Sequence, residues 1–129
     1  MNLIEIFSIL TIHWFADFVL QTDKQAKGKS KNWNDLLSHT FIYSSFWYAI
    51  GVGLVIGNFS FEYWNYNEFD LTKFVIITFI FHTITDYFTS RLNSKLWENG
   101  KIHNFFVSIG FDQLLHYIQL FLTYWILTK

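Results

Sequence analysis

The sequence predicts an all-α, polytopic membrane protein: a four-helix transmembrane bundle that forms a single domain over residues 1–129. Three observations support this prediction. Apolar residues make up 52% of the chain and charged residues only 15%, and apolar runs long enough to cross a bilayer recur along it. The chain contains no proline, which suits uninterrupted helices. Histidine and aspartate recur within or beside these runs, four positions apart.

Four segments are expected to be the helices, over residues 2–21, 34–56, 71–92 and 105–127. Each carries one His–Asp pair at positions i and i+4, which places both side chains on one helix face. The pairs are His13 with Asp17, Asp35 with His39, His82 with Asp86, and Asp112 with His116. Ionisable groups are costly in a membrane, so these polar faces should meet in the interior of the bundle, away from lipid.

Lysine and arginine set the expected orientation, because short cytoplasmic loops are enriched in them. Seven of the nine lie in the first and third connections, and only Lys73 and Lys129 lie elsewhere. We therefore expect these two connections to be cytoplasmic. Both termini and the aromatic, acidic loop 58–70 should lie on the other side of the membrane.

The order of residues within each pair agrees with this topology. Helices one and three would run inward and read His-x-x-x-Asp, whereas helices two and four would run outward and read Asp-x-x-x-His. In every helix the aspartate would then lie about 6 Å nearer the cytoplasm than its histidine. This order of pairs occurs twice along the chain, which suggests a parallel repeat of two helical hairpins.

Two segments carry a resemblance to a known family. The run His13-Trp-Phe-Ala-Asp17-Phe-Val-Leu-Gln21, with Asp112-Gln113-Leu-Leu-His116, resembles motifs of small, uncharacterised integral-membrane proteins of bacteria and their phages. The likeness spans nearly the whole chain and implies a polytopic fold in the bacterial inner membrane, with no activity attached to it. The chain is more weakly similar to inner-membrane metal-dependent hydrolases, which also carry His and Asp on membrane helices.

The paired residues are candidate metal ligands. Imidazole and carboxylate bind zinc, manganese and non-haem iron, and the cores of helix bundles hold paired metals between four helices. We expect His39 and Asp35 at the rim of one cavity in the cytoplasmic half of the bundle. Six other side chains should converge inside it: His13, Asp17, His82, Asp86, Asp112 and His116. They would hold one or two divalent ions, zinc first and manganese or iron as alternatives. Without metal, the pairs would be hydrogen-bonded clamps between helices.

Three functions remain open. The first is a metal-dependent hydrolase of a lipid or lipid-linked substrate, with Asp17, Asp86 and Asp112 as the catalytic carboxylates. The second is a transporter or channel for a metal ion or proton, which at this size would act as a homodimer. The third is a non-catalytic membrane interaction protein. A net charge of −1 argues against a nucleic-acid partner, and the lack of cysteine excludes a thiolate site.

The expected topology can be tested because the chain has no cysteine of its own. Single Lys27→Cys and Asn65→Cys variants should react differently with a membrane-impermeant maleimide added to intact cells. Position 65 should be labelled from outside, and position 27 only after the membrane has been permeabilised. Labelling of position 27 in intact cells would overturn the orientation.

Overall fold

The computed structural model describes residues 1–56 and 68–128, and no strand occurs among them. Most of the expected loop 58–70 lies outside the described residues. Helix α1 continues directly into a five-residue π-helical turn, and a short helix, α2, precedes three long ones. The elements are α1 (Leu3–Trp14), the π turn (Phe15–Val19), α2 (Asp23–Gly28), α3 (Trp33–Ile56), α4 (Glu68–Glu98) and α5 (Ile102–Leu127). The predicted all-α class is confirmed.

The first connection contains helix α2, where the sequence suggested only a polar stretch. The helix begins with a capping box. The Thr22 hydroxyl accepts a hydrogen bond from the Gln25 backbone N–H (3.3 Å), and the Gln25 side-chain oxygen accepts one from the Thr22 N–H (2.9 Å). Gln25 also donates to the Ser38 hydroxyl at 3.1 Å, which ties α2 to α3.

Helix α4 runs six residues past its expected end at Leu92, so the third connection is shorter than predicted. A Schellman motif ends the helix at Gly100, whose φ of 66° is strained for other residues. The Lys101 N–H donates to the Leu96 carbonyl (2.9 Å), and the Gly100 N–H donates to the Trp97 carbonyl (3.0 Å). This tight turn reverses the chain, so α5 packs against α4.

Two of the described helices are long and apolar enough to cross a membrane, over Asp70–Glu98 and Ile102–Leu127. The sequence predicted four such helices, so by this measure the number is corrected to two in the described part of the chain. Helix α1 has only 12 residues before its π turn. Helix α3 has 24 residues, but its first half carries many polar side chains, including His39 and Ser44.

The interior of the fold is more polar than its surface. Among the described residues, seventeen buried side chains are polar or charged and nine are apolar, whereas thirty large apolar side chains are exposed. Helix α4 packs against α3 and α5, and the π turn and α2 pack against α3. Buried apolar contacts concentrate on one side of the histidines, in a group that we call the apolar layer. Its members are Ile9, Trp47, Phe74, Leu120 and Tyr124.

Close contact between α3 and α4 depends on a glycine. A Cβ atom on Gly51 would collide with the buried Leu71 side chain, whereas a Cβ on Gly53 would meet nothing within 4 Å. We expect Gly51→Val to lower the free energy of unfolding by about 1–3 kcal/mol through overpacking. Gly53→Val is the matched control and should change stability little. Thermal unfolding of both variants in detergent tests this, and equal losses at the two positions would contradict it.

Candidate metal centre

Three aspartates and three histidines converge in the interior, and each is at least nine-tenths buried. These side chains form two compact groups, and within each group every side chain offers one oxygen or ring nitrogen as a possible ligand atom. Within a group, these atoms all lie within 4.8 Å of one another. The first group is Asp17, His39, His82 and Asp86, and the second group is Asp86, Asp112 and His116.

The π turn places Asp17 in the first group. Its defining hydrogen bond runs from the Leu20 N–H to the Phe15 carbonyl, five residues back, at 3.1 Å. Such turns insert an extra residue into a helix and recur at functional sites because they reorient side chains. Asp17 Oδ1 consequently reaches His39 Nε2 on α3 at 3.0 Å, while Asp17 Oδ2 stays 3.7 Å from His13 Nε2.

The spacing in the first group is that of ligands around one small cation. His39 Nε2 lies 3.0 Å from Asp17 Oδ1, 3.3 Å from Asp86 Oδ2 and 3.3 Å from His82 Nε2. His82 Nε2 lies 3.4 Å from Asp17 Oδ1 and 3.6 Å from Asp86 Oδ2. A tetrahedral site with bonds of about 2.0–2.1 Å has ligand–ligand separations of about 3.3–3.4 Å. The four side chains therefore fit a divalent ion.

Hydrogen bonding alone satisfies this group poorly. His39 Nε2 carries either one proton or one lone pair. Three potential ligand atoms lie within 3.3 Å of it, one of them the ring nitrogen of His82. A single N–H cannot donate along three directions at once, whereas a cation can be shared by all four atoms. The donor set thus favours an ion over a purely hydrogen-bonded clamp.

Asp86 belongs to both groups through different oxygens. Its Oδ2 faces His39, while its Oδ1 lies 3.4 Å from His116 Nε2. His116 Nε2 also lies 3.4 Å from Asp112 Oδ1. Two-metal sites hold their ions about 3.5–4 Å apart, a separation that one carboxylate can span. The first group offers four ligands and the second only three, so the second leaves room for a water or a substrate atom.

His13 was predicted as a ligand, but it lies in neither group. Its Nδ1 is 2.7 Å from the Tyr43 hydroxyl, and its Nε2 is 2.8 Å from the Gln113 side-chain oxygen. Gln113 in turn donates to Asp17 Oδ2 at 3.1 Å. His13 therefore acts on the centre through Gln113, which holds the Asp17 carboxylate in orientation.

The pair on α3 also differs from expectation. His39 was predicted at the rim of the cavity, yet it is in contact with Asp17, His82 and Asp86. Asp35, one turn earlier on α3, lies in neither group. Its carboxylate packs against Gly28 and is 3.8 Å from the Lys24 ammonium. Along the bundle, the Asp35–His39 pair is displaced relative to the other three pairs. Only His39 therefore lies level with the side chains of the two groups.

Sequence reasoning missed three residues that support the centre. The Tyr43 ring stacks on His82, with centroids 3.9 Å apart, and the Thr89 hydroxyl donates to Asp112 Oδ1 at 2.6 Å. Tyr43 could have been found, because it continues the stripe of His39 by four positions. The third residue is Lys29, whose ammonium lies 2.9 Å from Asp86 Oδ2. It is one of four lysines in a polar connection, and nothing in the sequence marks it out.

Lys29 supplies a fixed positive charge to the centre. Burial lowers the pKa of its ammonium, but the Asp86 and Asp17 carboxylates outweigh that effect, so the pKa lies above the ordinary lysine value. The side chain is only 16% exposed. Three carboxylates face this single ammonium, and buried charges need partners. Protonated histidines, bound cations or protons on the carboxylates themselves must therefore balance the remaining negative charge.

A cavity of about 420 Å³ adjoins the centre on the side opposite the apolar layer. Asp17 and Asp112 line it, so the cavity reaches carboxylates of both groups. Lysines from α2 and the following turn line its other side, together with the ends of α4 and α5. The centre is thus open towards the lysine-rich connections and closed by packed apolar side chains on the other side.

Together, the fold and the site define a helical protein with a buried His/Asp centre of metal-binding dimensions. The chain belongs to the family described as protein of unknown function DUF3307, whose model matches residues 6–129. This match includes every residue of the centre and confirms the predicted membership of an uncharacterised family. No curated protein and no solved structure matches the chain.

The two groups predict which aspartates hold metal. Asp86→Asn should lose bound metal, because Asp86 serves both groups, whereas Asp35→Asn, which changes a buried aspartate outside them, should retain it. Elemental analysis of the purified variants measures this. Chelation should also lower the melting temperature of the wild-type protein, since an ion at a hundred times its Kd stabilises the native state by about 2.7 kcal/mol. An unchanged melting temperature after verified metal removal would favour hydrogen-bonded clamps.

Proposed function

We propose that the protein is a membrane-embedded, metal-dependent hydrolase acting on a lipid or lipid-linked substrate. The observation that carries this proposal is the metal-sized group of buried His and Asp side chains beside a cavity open on one side. The protein would sit in the bacterial inner membrane as a helical bundle in which α4 and α5 span the membrane, and α1, the π turn and α3 complete the bundle. Its lysine-rich connections would face the cytoplasm.

The distribution of polar and apolar residues supports the membrane setting. Large apolar side chains are exposed along every long helix, for example Phe41 on α3, Phe88 on α4 and Phe106 on α5. So many exposed large apolar side chains are unusual for a soluble monomer of this size. Inside, ionisable side chains face one another, as expected where exposure to lipid is costly. Helix α3 and the α1–π segment can tolerate polar residues here because the bundle buries them.

The chemistry follows from the ligand set. A divalent ion would supply a polarised water that is acidic near neutral pH. Two imidazoles and two carboxylates at tetrahedral spacing favour zinc, with manganese and iron as alternatives. Asp112 is the candidate proton acceptor, because it lines the cavity and its carboxylate is oriented by Thr89 and Gln113. Asp17 on the π turn and Asp86 on α4 would hold the ion from two different elements.

The cavity wall supports an amphiphilic substrate. Phe18, Trp97 and Phe105 line it together with lysines and the two carboxylates. A lipid has a polar head group attached to apolar chains. The head group could contact the charged residues of the cavity, and the chains could contact its aromatic residues. The position of the cavity, at the lysine-rich side of the bundle, would place it at the level of the inner-leaflet head groups.

One observation favours the hydrolase over the transporter. A transport path must open to both sides of the membrane, but the apolar layer closes the centre on one side. Trp47 packs edge-on against Phe74 at 5.4 Å between ring centroids, and the cavity among Ile9, Trp47, Leu71 and Tyr124 has a volume of about 10 Å³. The one-sided access suits a reaction whose substrate enters and leaves from the same face.

The proposed activity can be tested in liposomes that contain the purified protein and bacterial inner-membrane lipid extract, with products followed by mass spectrometry. We expect hydrolysis that chelation stops and that added divalent metal restores. Asp112→Asn should lower the rate at least about a hundredfold, as loss of an acid–base group commonly does. The exposed His103→Ala is the control and should keep full activity.

Two results would contradict the hydrolase. If the metal-bound protein hydrolyses no lipid in the extract, the proposed hydrolysis of a membrane lipid is wrong. Proton or metal flux across the same liposomes, lost in Asp112→Asn, would replace it with the transporter.

A further inference from the structure

We infer that the cavity beside the metal centre is a phosphoryl-binding subsite, so that the substrate is a phosphate ester. This inference rests on the proposed function for its link to hydrolysis. The binding site itself stands on residues of the cavity wall that the metal groups do not use. These residues are Gln21, Lys27, Lys29, Lys31, Ser90 and Asn93.

The first argument is charge. Lys27, Lys29 and Lys31 all line the cavity, at the end of α2 and in the turn that follows it. Lysine ammonium groups bind phosphate as point charges. Lys27 and Lys31 are exposed at the mouth, while Lys29 lies deep in the cavity, with its ammonium 2.9 Å from Asp86. Asp17, Glu98 and Asp112 also line the cavity, so its wall would be net positive once cations at the centre neutralise the two aspartates.

The second argument is hydrogen bonding. Three residues that line the cavity each have a buried polar atom without a hydrogen-bond partner in the structure: Gln21 Nε2, Ser90 Oγ and Asn93 Oδ1. Ser90 is only 7% exposed. A buried polar group left unpaired costs about 1–3 kcal/mol, so such groups normally have a partner. The Gln21 amide and the Ser90 hydroxyl are donors, which phosphate oxygens would accept, and the Asn93 oxygen could accept from a protonated phosphate or a water.

The third argument is position. Asp17 and Asp112 line the same cavity, so a phosphoryl group held there lies next to both metal groups. Lys29 at present neutralises Asp86, which belongs to both groups. Cations on Asp86 would take over that neutralisation and would repel the ammonium. Lys29 would then be available to the cavity that it already lines.

The reaction balances with water as the only co-reactant. Water forms a new bond from its oxygen to phosphorus, and the P–O bond to the alcohol breaks. One proton of the water passes through Asp112 to the departing alcohol oxygen. The products are a free phosphate group and a free hydroxyl on the lipid or soluble alcohol.

Isothermal titration of the metal-loaded protein in nanodiscs tests the subsite through binding, and mass spectrometry of the titrated samples shows whether a probe has been hydrolysed. The probes are inorganic phosphate, short-chain phosphatidic acid, and short-chain diacylglycerol as the matched lipid without phosphate. We expect phosphatidic acid to bind and diacylglycerol not to. Competition by inorganic phosphate would show that the phosphoryl group carries the affinity. Stronger binding of inorganic phosphate than of phosphatidic acid would assign the subsite to a soluble phosphate ester.

Three variants locate the binding. Lys29→Gln should weaken phosphate binding about tenfold or more, as expected for the loss of a charge-assisted hydrogen bond. Lys24→Gln is the control, because it removes the same charge from the same segment outside the cavity lining. Ser90→Ala leaves the Lys29–Asp86 pair intact and should also weaken binding, which keeps the test valid if Lys29→Gln destabilises the fold. The metal content of each variant is measured alongside.

The outcomes separate this inference from the proposed function. Phosphate binding that depends on Lys29 and Ser90 supports the subsite even if no lipid is hydrolysed. Metal-dependent hydrolysis of a lipid without phosphate would support the proposed function and overturn the subsite. Phosphate binding unchanged in both Lys29→Gln and Ser90→Ala would place the anion on the metal alone and would also overturn it.

Discussion

Neutralisation of three buried carboxylates is the constraint on which the rest of the structure depends. Asp17, Asp86 and Asp112 lie close together, and Lys29 is the cation that reaches them. An uncompensated buried ion costs several kcal/mol even after relaxation. Hydrogen bonds from Thr89 and Gln113 disperse part of the charge, but they add no positive charge of their own. Charge balance therefore requires bound cations or protons on histidine or carboxyl side chains, and the fold keeps four imidazoles within reach.

The regular spacing of His and Asp made much of the centre predictable from the sequence. In α4 and α5 each pair lies on one face of an uninterrupted helix, so His82 with Asp86 and Asp112 with His116 enter the centre together. The same rule is less informative for α1 and α3. In these two helices, the side chain that reaches the centre depends on the position of the helix along its axis and on its rotation about that axis. The spacing of a His–Asp pair specifies neither.

Two features outside the helical pattern decide these cases. The π turn shifts the end of α1, so Asp17 joins the first group while His13 contacts Tyr43 and Gln113 instead. The segment from α2 to α3 folds back and carries Lys29 to Asp86, 57 positions away in sequence. A π turn carries no reliable sequence signature, and a contact of such separation depends on the packing of the whole bundle. Local propensity could therefore predict neither.

The difference between the two ligand groups suggests how one centre can combine rigidity with reactivity. The first group joins the π turn, α3 and α4 through four side chains, so an ion there would cross-link three elements and leave no free position. The second group has three side chains from α4 and α5, and its Asp112 lines the cavity. Asp86 connects them, because each of its oxygens serves a different group. Ions held by the two groups would therefore share one carboxylate, and Lys29 contacts that same carboxylate.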